Sequence, residues 1–202
     1  MTVKPGVDWG QIVPVPADGL ELVSDADIAE AIDRGETRAL LVRGGDLFRT
    51  VGAPPSSPSS ASAVRLSIDA LRVTADGVDA TAVGHVVVRR SGRFGWWRGP
   101  IVCVMNAEHV GRSDVAPRAH PNDGRFDLVS VAARMSVRSR WQAWRRLATG
   151  THVPHPDIAT RRGRQESFTF GRPLELWVDG VRRGTVRSIT VSVVSDAAVI
   201  YV

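Results

Sequence analysis

The stretch Asn106–Val131, NAEHVGRSDVAPRAHPNDGRFDLVSV, decides how this chain is read. It opens behind Gly99-Pro100-Ile101-Val102-Cys103-Val104-Met105, a run whose length and β-branched content mark a buried strand. It closes on Phe126-Asp127-Leu128-Val129-Ser130-Val131, which alternates as a second strand does. Between the two lie residues rich in Asp, Asn, Gly, Pro and His. A polar loop slung between two strands is a common way of fixing functional groups to a rigid scaffold. Asp123-Gly124 supplies a tight turn, and Asp127 stands four residues on. Two carboxylates this close, with backbone carbonyls between them, form an oxygen-ligand set suited to a hard cation such as Mg2+. Asn-Asp-Gly is also ordinary turn chemistry, and from these residues alone the turn is the favoured reading.

The order Asn106-Ala107, then Ala116-Pro117-Arg118-Ala119-His120-Pro121-Asn122-Asp123-Gly124-Arg125-Phe126-Asp127, resembles the "N-A … P-x-A-x-x-D-D-G-x-L-D" segment of the diacylglycerol kinase family of lipid kinases, relatives of the NAD kinases. In that family the segment lies in a β-sandwich domain, and its acids hold a structural Mg2+. The resemblance places that metal role on Asp123 and Asp127. Asn122 stands where many members carry a further Asp, so a site here has one charge fewer.

Composition sets outer bounds. The 202 residues, 43% hydrophobic, suffice for one substantial domain with a real core. No apolar run reaches membrane-span length, and Met1-Thr2-Val3-Lys4 does not begin a signal peptide. The single cysteine, Cys103, sits in an apolar strand and reads as a small buried hydrophobe. A cytoplasmic protein, with peripheral membrane contact left open, is the expectation. The net charge is +5 and almost entirely arginine, a side chain suited to phosphates and carboxylates. Nucleic acid is disfavoured as a partner, because aromatic residues are not interleaved with basic ones over a whole face.

Toward the N-terminus, residues 1–23 read as an extended, proline-punctuated arm anchored by Trp9-Gly10. Ser24 caps a short helix with acidic residues in its first turn and Ile28, Ala31 and Ile32 on its buried stripe, ending at Gly35. Ala39–Val42 is a short strand leading into Gly44-Gly45-Asp46. Glycines after a strand let backbone approach a phosphate, although two glycines also make a plain turn. The segment Gly44–Gly52 is similar to "G-T-x-N-D-x-A-R-x-L-G" of the lipid kinases. The resemblance implies nucleotide-phosphate contact by Gly44, Gly45, Asp46 and Arg49, with ATP as the cofactor. Only about forty residues precede it, too few for several βα units of roughly 30 residues each. The expected organisation is therefore a shortened α/β nucleotide-domain remnant over 1–53, a Pro/Ser linker over 54–63, and a lipid-kinase-like domain over 64–202.

Beyond the linker, strands are expected at Val64–Ile68, Ala70–Thr74, Asp79–Arg90 and Gly99–Met105, with Asp76-Gly77 as a hairpin turn. His85 reads as a core or edge histidine, since no second ligand stands at metal spacing. The Phe94, Trp96 and Trp97 cluster reads as a cap on the core. Ser136–Thr149 reads as an amphipathic helix stopped by Gly150, with Val137, Trp141, Trp144 and Leu147 or Ala148 packed on the sheet; seating at an anionic membrane is the weaker reading. His152 and His155 sit in a proline-rich connector that resembles the "G-x-H … H-P-x-V" segment of the kinases.

Val178-Asp179-Gly180-Val181 departs from the family, which carries "D-G-E" with the Glu taken as general base. Val181 accepts no proton, so that role has no holder; Glu175 is a possible substitute. The expected fold is mainly β: a two-layer sandwich with one packed helix and a small N-terminal α/β piece. Two functions follow. One is a non-catalytic domain binding a lipid, a phosphate-containing ligand or a protein partner, or assembling with a second copy of itself. The other is an ATP- and Mg-dependent lipid kinase, with its nucleotide site at Gly44–Arg49 or supplied by a partner chain.

Overall fold

Strands β7 (Ile101–Met105) and β10 (Phe126–Val131) pair antiparallel, with Val129 opposite Cys103, and so close the polar stretch that separates them. Alternation fixes what each covers. Val102, Val104, Phe126 and Leu128 point into one core, and Ile101, Cys103, Met105 and Val129 into another on the opposite face. Inside the polar stretch a two-residue-per-strand hairpin forms from β8 (His109–Val110) and β9 (Ser113–Asp114).

The computed structural model describes residues 9–52 and 61–202. In chain order the remaining elements are β1 (Gln11–Pro14), β2 (Leu20–Leu22), α1 (Asp25–Asp33), β3 (Leu40–Val42), α2 (Asp46–Thr50), β4 (Ser62–Ala75), β5 (Val78–Ala82), β6 (His85–Arg89), α3 (Val137–Arg146), β11 (Ile158–Gly163), β12 (Gln165–Val178) and β13 (Val181–Tyr201). The main sheet runs β1-β4-β13-β12-β6-β7-β10-β11, with β5 beside β4, and β3 joining β2 to β13. The fold is mainly β and sandwich-like, as expected. Long β13 spans both halves: its first part pairs with β12 and its second with β4.

Strand β4 shows how two cores share one sheet. Leu71, Val73 and Ala75 face the central sandwich core, whereas Leu66, Ile68 and Ala70 face the N-terminal one. Val64–Ile68 and Ala70–Thr74, expected as two strands, are one, because β13 supplies a continuous partner from Ile189 to Tyr201 with a single register shift. Conversely the run expected over Asp79–Arg90 breaks at Val83-Gly84 into β5 and β6. The Asp76-Gly77 turn forms as read, with Ala75 opposite Val78 and Gly77 at φ 82°.

At the N-terminus, Trp9 donates its indole N–H to the Ser67 carbonyl and lays its ring against His120, anchoring the arm. Ser24 caps α1 in a reciprocal box with Asp27. Ile28 and Ala31 are buried against β2, β3 and Ile200. Of the linker read at 54–63, residues 54–60 lie outside the described residues, and Ser62-Ala63 already belong to β4.

The largest departure concerns α3. The helix forms with Ser136 as its cap, but its expected buried stripe stays half-exposed: Val137, Trp141 and Trp144 are 49%, 46% and 57% exposed. The residue buried in its place is Arg140. Its guanidinium donates to the carbonyls of Met135, Trp96, Gly99 and Ala132. Burying a guanidinium is tolerated only when its donors are satisfied, and four backbone carbonyls satisfy it. Trp141, about 100° round the helix from Arg140, points outward, while Trp144, one turn on from Arg140, meets the Trp97 ring and stays half-exposed.

Candidate functional site

Four acidic or imidazole side chains converge where α1, α2, β6 and the β12–β13 hairpin meet. Asp25 opens α1 and turns its carboxylate onto the start of α2, accepting from the amides of Asp46 (2.9 Å) and Leu47 (3.2 Å). These are the unpaired amides at a helix start that an anion would otherwise use. Gly45 permits this approach: at φ 101°, any Cβ there would lie 2.1 Å from Asp25 Oδ1. The amides behind the glycine pair, expected to face a nucleotide phosphate, are thus engaged by the protein's own carboxylate.

Asp179 and Gly180 form the two-residue turn between β12 and β13, both at positive φ (46° and 76°), with Val178 paired to Val181. That is the geometry preferred by Asp-Gly hairpins. The Asp179 carboxylate reaches back and accepts from the amides of Val83, Gly84 and His85 at 2.8–2.9 Å. Gly84 lies between two acids: a Cβ would sit 2.5 Å from Asp25 Oδ2 and 3.1 Å from Asp179 Oδ1. The break between β5 and β6 therefore exists to admit two carboxylates.

Burial, reinforced by the neighbouring charges of Asp179 and Asp46, pushes the Asp25 carboxyl up to about 7, against the opposing pull of the two α2 amides. Burial raises Asp179 as well, offset by His85 and its three backbone donors. Asp46 Oδ2 accepts from the Gly111 amide (2.9 Å) and lies 3.5 Å from His85 Nδ1, while Arg49 stands 3.7 Å from Oδ1. His85 is 4% exposed, and its Nδ1 has no hydrogen-bond partner among the described residues. Sequence reading did not join these residues. Asp25 looked like a first-turn acid and His85 like core, and the sheet brings them together from 60 positions apart.

Asp123 and Asp127 form a separate pair. Asp123 accepts from the Arg125 amide, closing its turn, and Arg162 from β11 bridges both acids: Nη1 is 3.5 Å from Asp123, and Nε is 3.1 Å from Asp127. The same guanidinium donates to the Arg118 carbonyl. Burial raises the Asp127 carboxyl, against the pull of Arg162. A cation in the form of Arg162 already balances this pair, so an ion between the two acids would have to displace it. Asp46 and Asp123 share no bonding partner.

The polar loop itself is pinned by groups the sequence reading passed over. Asp69, fully buried in β4, accepts from the amides of Gly124 (2.7 Å) and Asp196 (2.9 Å). Asn106 donates to the carbonyls of Asp69 and Val83, and the amides of Asn106 and Ala107 both bond the Gly84 carbonyl. Glu175 is also engaged: Arg89 and Arg182 flank it, and the Trp177 indole donates to it.

Outside this cleft, the segment 90–98 and helix α3 form one face. Phe94 (53% exposed) and Trp96 (44%) do not cap the core as expected; they stand with Trp141 and Trp144 at the surface. Arg90, Arg93, Arg98 and Arg138 line a wide groove there with Phe94, Trp97 and Trp141. Neither 89–105 nor 132–150 contains an acidic residue. Beneath α3 lies an apolar cavity of about 330 Å³ lined by residues such as Trp97, Cys103, Val129, Met135, Trp144 and Leu147, with buried His152 at its margin. His155 instead accepts from the Asp157 amide, so the two histidines of the connector do not share a site.

No curated protein matches the chain. Among solved structures it is similar to a candidate diacylglycerol kinase from Bacillus anthracis str. Sterne, at 10% identity and TM-score 0.59, over 81% of this chain and 69% of that one. A second structure of a candidate diacylglycerol kinase from that strain gives 11% identity and the same coverage and TM-score. A diacylglycerol kinase structure from the same strain gives 13% identity and TM-score 0.57, over 81% of this chain and 66% of that one. At such identities the likeness concerns fold. The family model for the YegS C-terminal NAD kinase beta sandwich-like domain matches residues 59–201, most of the chain. The chain therefore belongs to the family of YegS C-terminal, NAD kinase-like β-sandwich domains.

Proposed function

We propose that this chain is a non-catalytic lipid-kinase-like domain that binds lipid, docking on anionic bilayers through α3 and segment 90–98. The observation that carries this reading is the exposure of Trp141 and Trp144, which are flanked by arginines with no acid nearby in sequence. Tryptophan favours the headgroup level, where its ring is half apolar and half wet, and arginines beside it favour anionic lipid. Each Arg near such a surface contributes about 1 kcal/mol. The cavity beneath α3 offers an apolar recess for part of one lipid. No helix among the described residues is long and apolar enough to cross a membrane.

The non-catalytic half of the reading rests on how the cleft's groups are occupied. Phosphoryl transfer requires metal and phosphates positioned together and a nucleophile oriented by a base. Val181 stands at the family's base position; Asp179 is bound to three amides, Glu175 to two arginines, and Asp123 and Asp127 to Arg162. In a nucleotide-bound form Asp25 would have to leave the α2 amides, and in a Mg2+-bound form Arg162 would have to leave Asp127.

Co-sedimentation with phosphatidylcholine vesicles, with and without phosphatidylglycerol, tests the reading. Binding to the anionic vesicles alone, weakening as salt rises, is expected. Failure to sediment with anionic vesicles at low salt would overturn it. ATP-dependent phosphorylation of diacylglycerol would overturn the non-catalytic half.

A further inference from the structure

We propose that Asp25, Asp46 and His85 form a binding site for a divalent transition-metal ion of the Zn2+ type, distinct from the Asp123–Asp127 pair and independent of lipid binding. One ligand atom from each of the three lies within 4.8 Å of the others. Ligands at about 2.1 Å in a tetrahedral shell sit about 3.4 Å apart, so side-chain movements of about 1 Å close the set. His85 points to an ion independently of the acids. Its Nδ1 is buried, faces Asp46 Oδ2 at 3.5 Å, and has no hydrogen-bond partner among the described residues. A buried imidazole nitrogen left unpaired is costly, and a metal ion supplies the missing partner.

Charge points the same way. Asp25, Asp46 and Asp179 crowd one corner, where Arg49 is the cation close to Asp46, and only at its outer oxygen. At the other acidic pair Arg162 reaches both carboxylates; here no side chain does so among the described residues. Each ligand is also held from behind, as ligating groups are in built sites. The α2 amides fix Asp25, the Gly111 amide fixes Asp46, and Asp179 fixes the His85 backbone. An imidazole among two carboxylates selects Zn2+ over Mg2+, which prefers an all-oxygen shell and retains its waters.

The test uses the full chain stripped with EDTA and titrated with Zn2+ by calorimetry, with thermal melting alongside. One equivalent of Zn2+ should bind and raise Tm, Co2+ should give a visible ligand-field band, and equal Mg2+ should do neither. His85→Gln should weaken Zn2+ binding by about tenfold or more, while Asp123→Asn/Asp127→Asn should leave it unchanged. Absence of saturable Zn2+ binding, an equal response to Mg2+, or unaltered affinity in His85→Gln would overturn the proposal. If His85→Gln fails to fold by circular dichroism, zinc-edge anomalous diffraction from wild-type crystals decides. A peak among Asp25, Asp46 and His85 is expected, and a peak only elsewhere, at His152 for example, overturns it.

Discussion

The acidic cleft and the α3 face treat their charged groups in opposite ways. Asp179 in the cleft, and Asp69, Glu175 and the separate Asp123–Asp127 pair elsewhere on the sheet, are consumed by backbone amides or by arginines. On the face, arginines and tryptophans stand outward with no acid nearby in sequence, and the one arginine turned inward, Arg140, is the helix's anchor. A carboxylate that binds three amides is a structural clamp, whatever position it holds in a family motif. The groups left with capacity for an external partner are on the face, and in the single corner where His85 meets Asp25 and Asp46.

The contrast breaks most readily on the face. Replacing Arg138, Arg145 and Arg146 together by Gln should cost about 3 kcal/mol of anionic-vesicle affinity, roughly a hundredfold, with unchanged folding. Equal sedimentation of that variant and the wild type would move the binding surface elsewhere. The cleft should respond in stability instead. Asp69→Ala strands the buried Gly124 amide and the half-buried Asp196 amide and should lower unfolding free energy by about 2 kcal/mol, read by urea denaturation, while vesicle binding by the folded fraction persists.

A pH effect sharpens the same division. Burial under α3 holds His152 below the usual histidine range, against the opposing pull of the Asp114 carboxylate. In the unfolded chain it titrates near about 6.5. Between its lowered native value and that point the unfolded state binds more protons, so its contribution is fully present above the unfolded value and is lost as pH falls. Comparing wild type with His152→Gln in urea melts across this window should show the acid-side loss only in the wild type.

Smaller effects belong to the metal and catalytic positions. Arg162→Gln should cost about 1 kcal/mol or less, the pair being partly exposed, and should create a Mg2+-dependent rise in Tm that the wild type lacks. No Mg2+ response in that variant would mean the guanidinium is not what bars an ion. Val181→Glu, at a 40% exposed position, should change stability by less than about 0.5 kcal/mol and confer no lipid kinase activity. Phosphorylation by that variant would show that the missing carboxylate alone silences the cleft.

Much of this was legible in the sequence, and the reasons are local. Alternation over Phe126–Val131, the Asp76-Gly77 turn and the Ser24 cap all rest on interactions within a few residues, and each formed. The division of β4 was misread because its continuity is set by β13, more than 100 positions away. Helix α3 forms where expected, but its stripe is half-exposed: periodicity identifies an apolar stripe, whereas four carbonyls from the loops 96–99 and 132–135 draw Arg140 inward on that side of the helix. The metal corner had no sequence signal, since its ligands come singly from three elements. Arg162 as the bridge between Asp123 and Asp127 was equally hidden, being set by the pairing of Asp127 with Arg162 across β10 and β11.

The most direct test of the account is tryptophan quenching by vesicles whose acyl chains carry bromine. Emission should fall on anionic brominated vesicles, and the fall should largely disappear in Trp96→Ala/Trp141→Ala/Trp144→Ala, because those rings enter the bilayer interface. Unquenched wild-type emission on anionic vesicles, or quenching that survives in the triple variant, would contradict it.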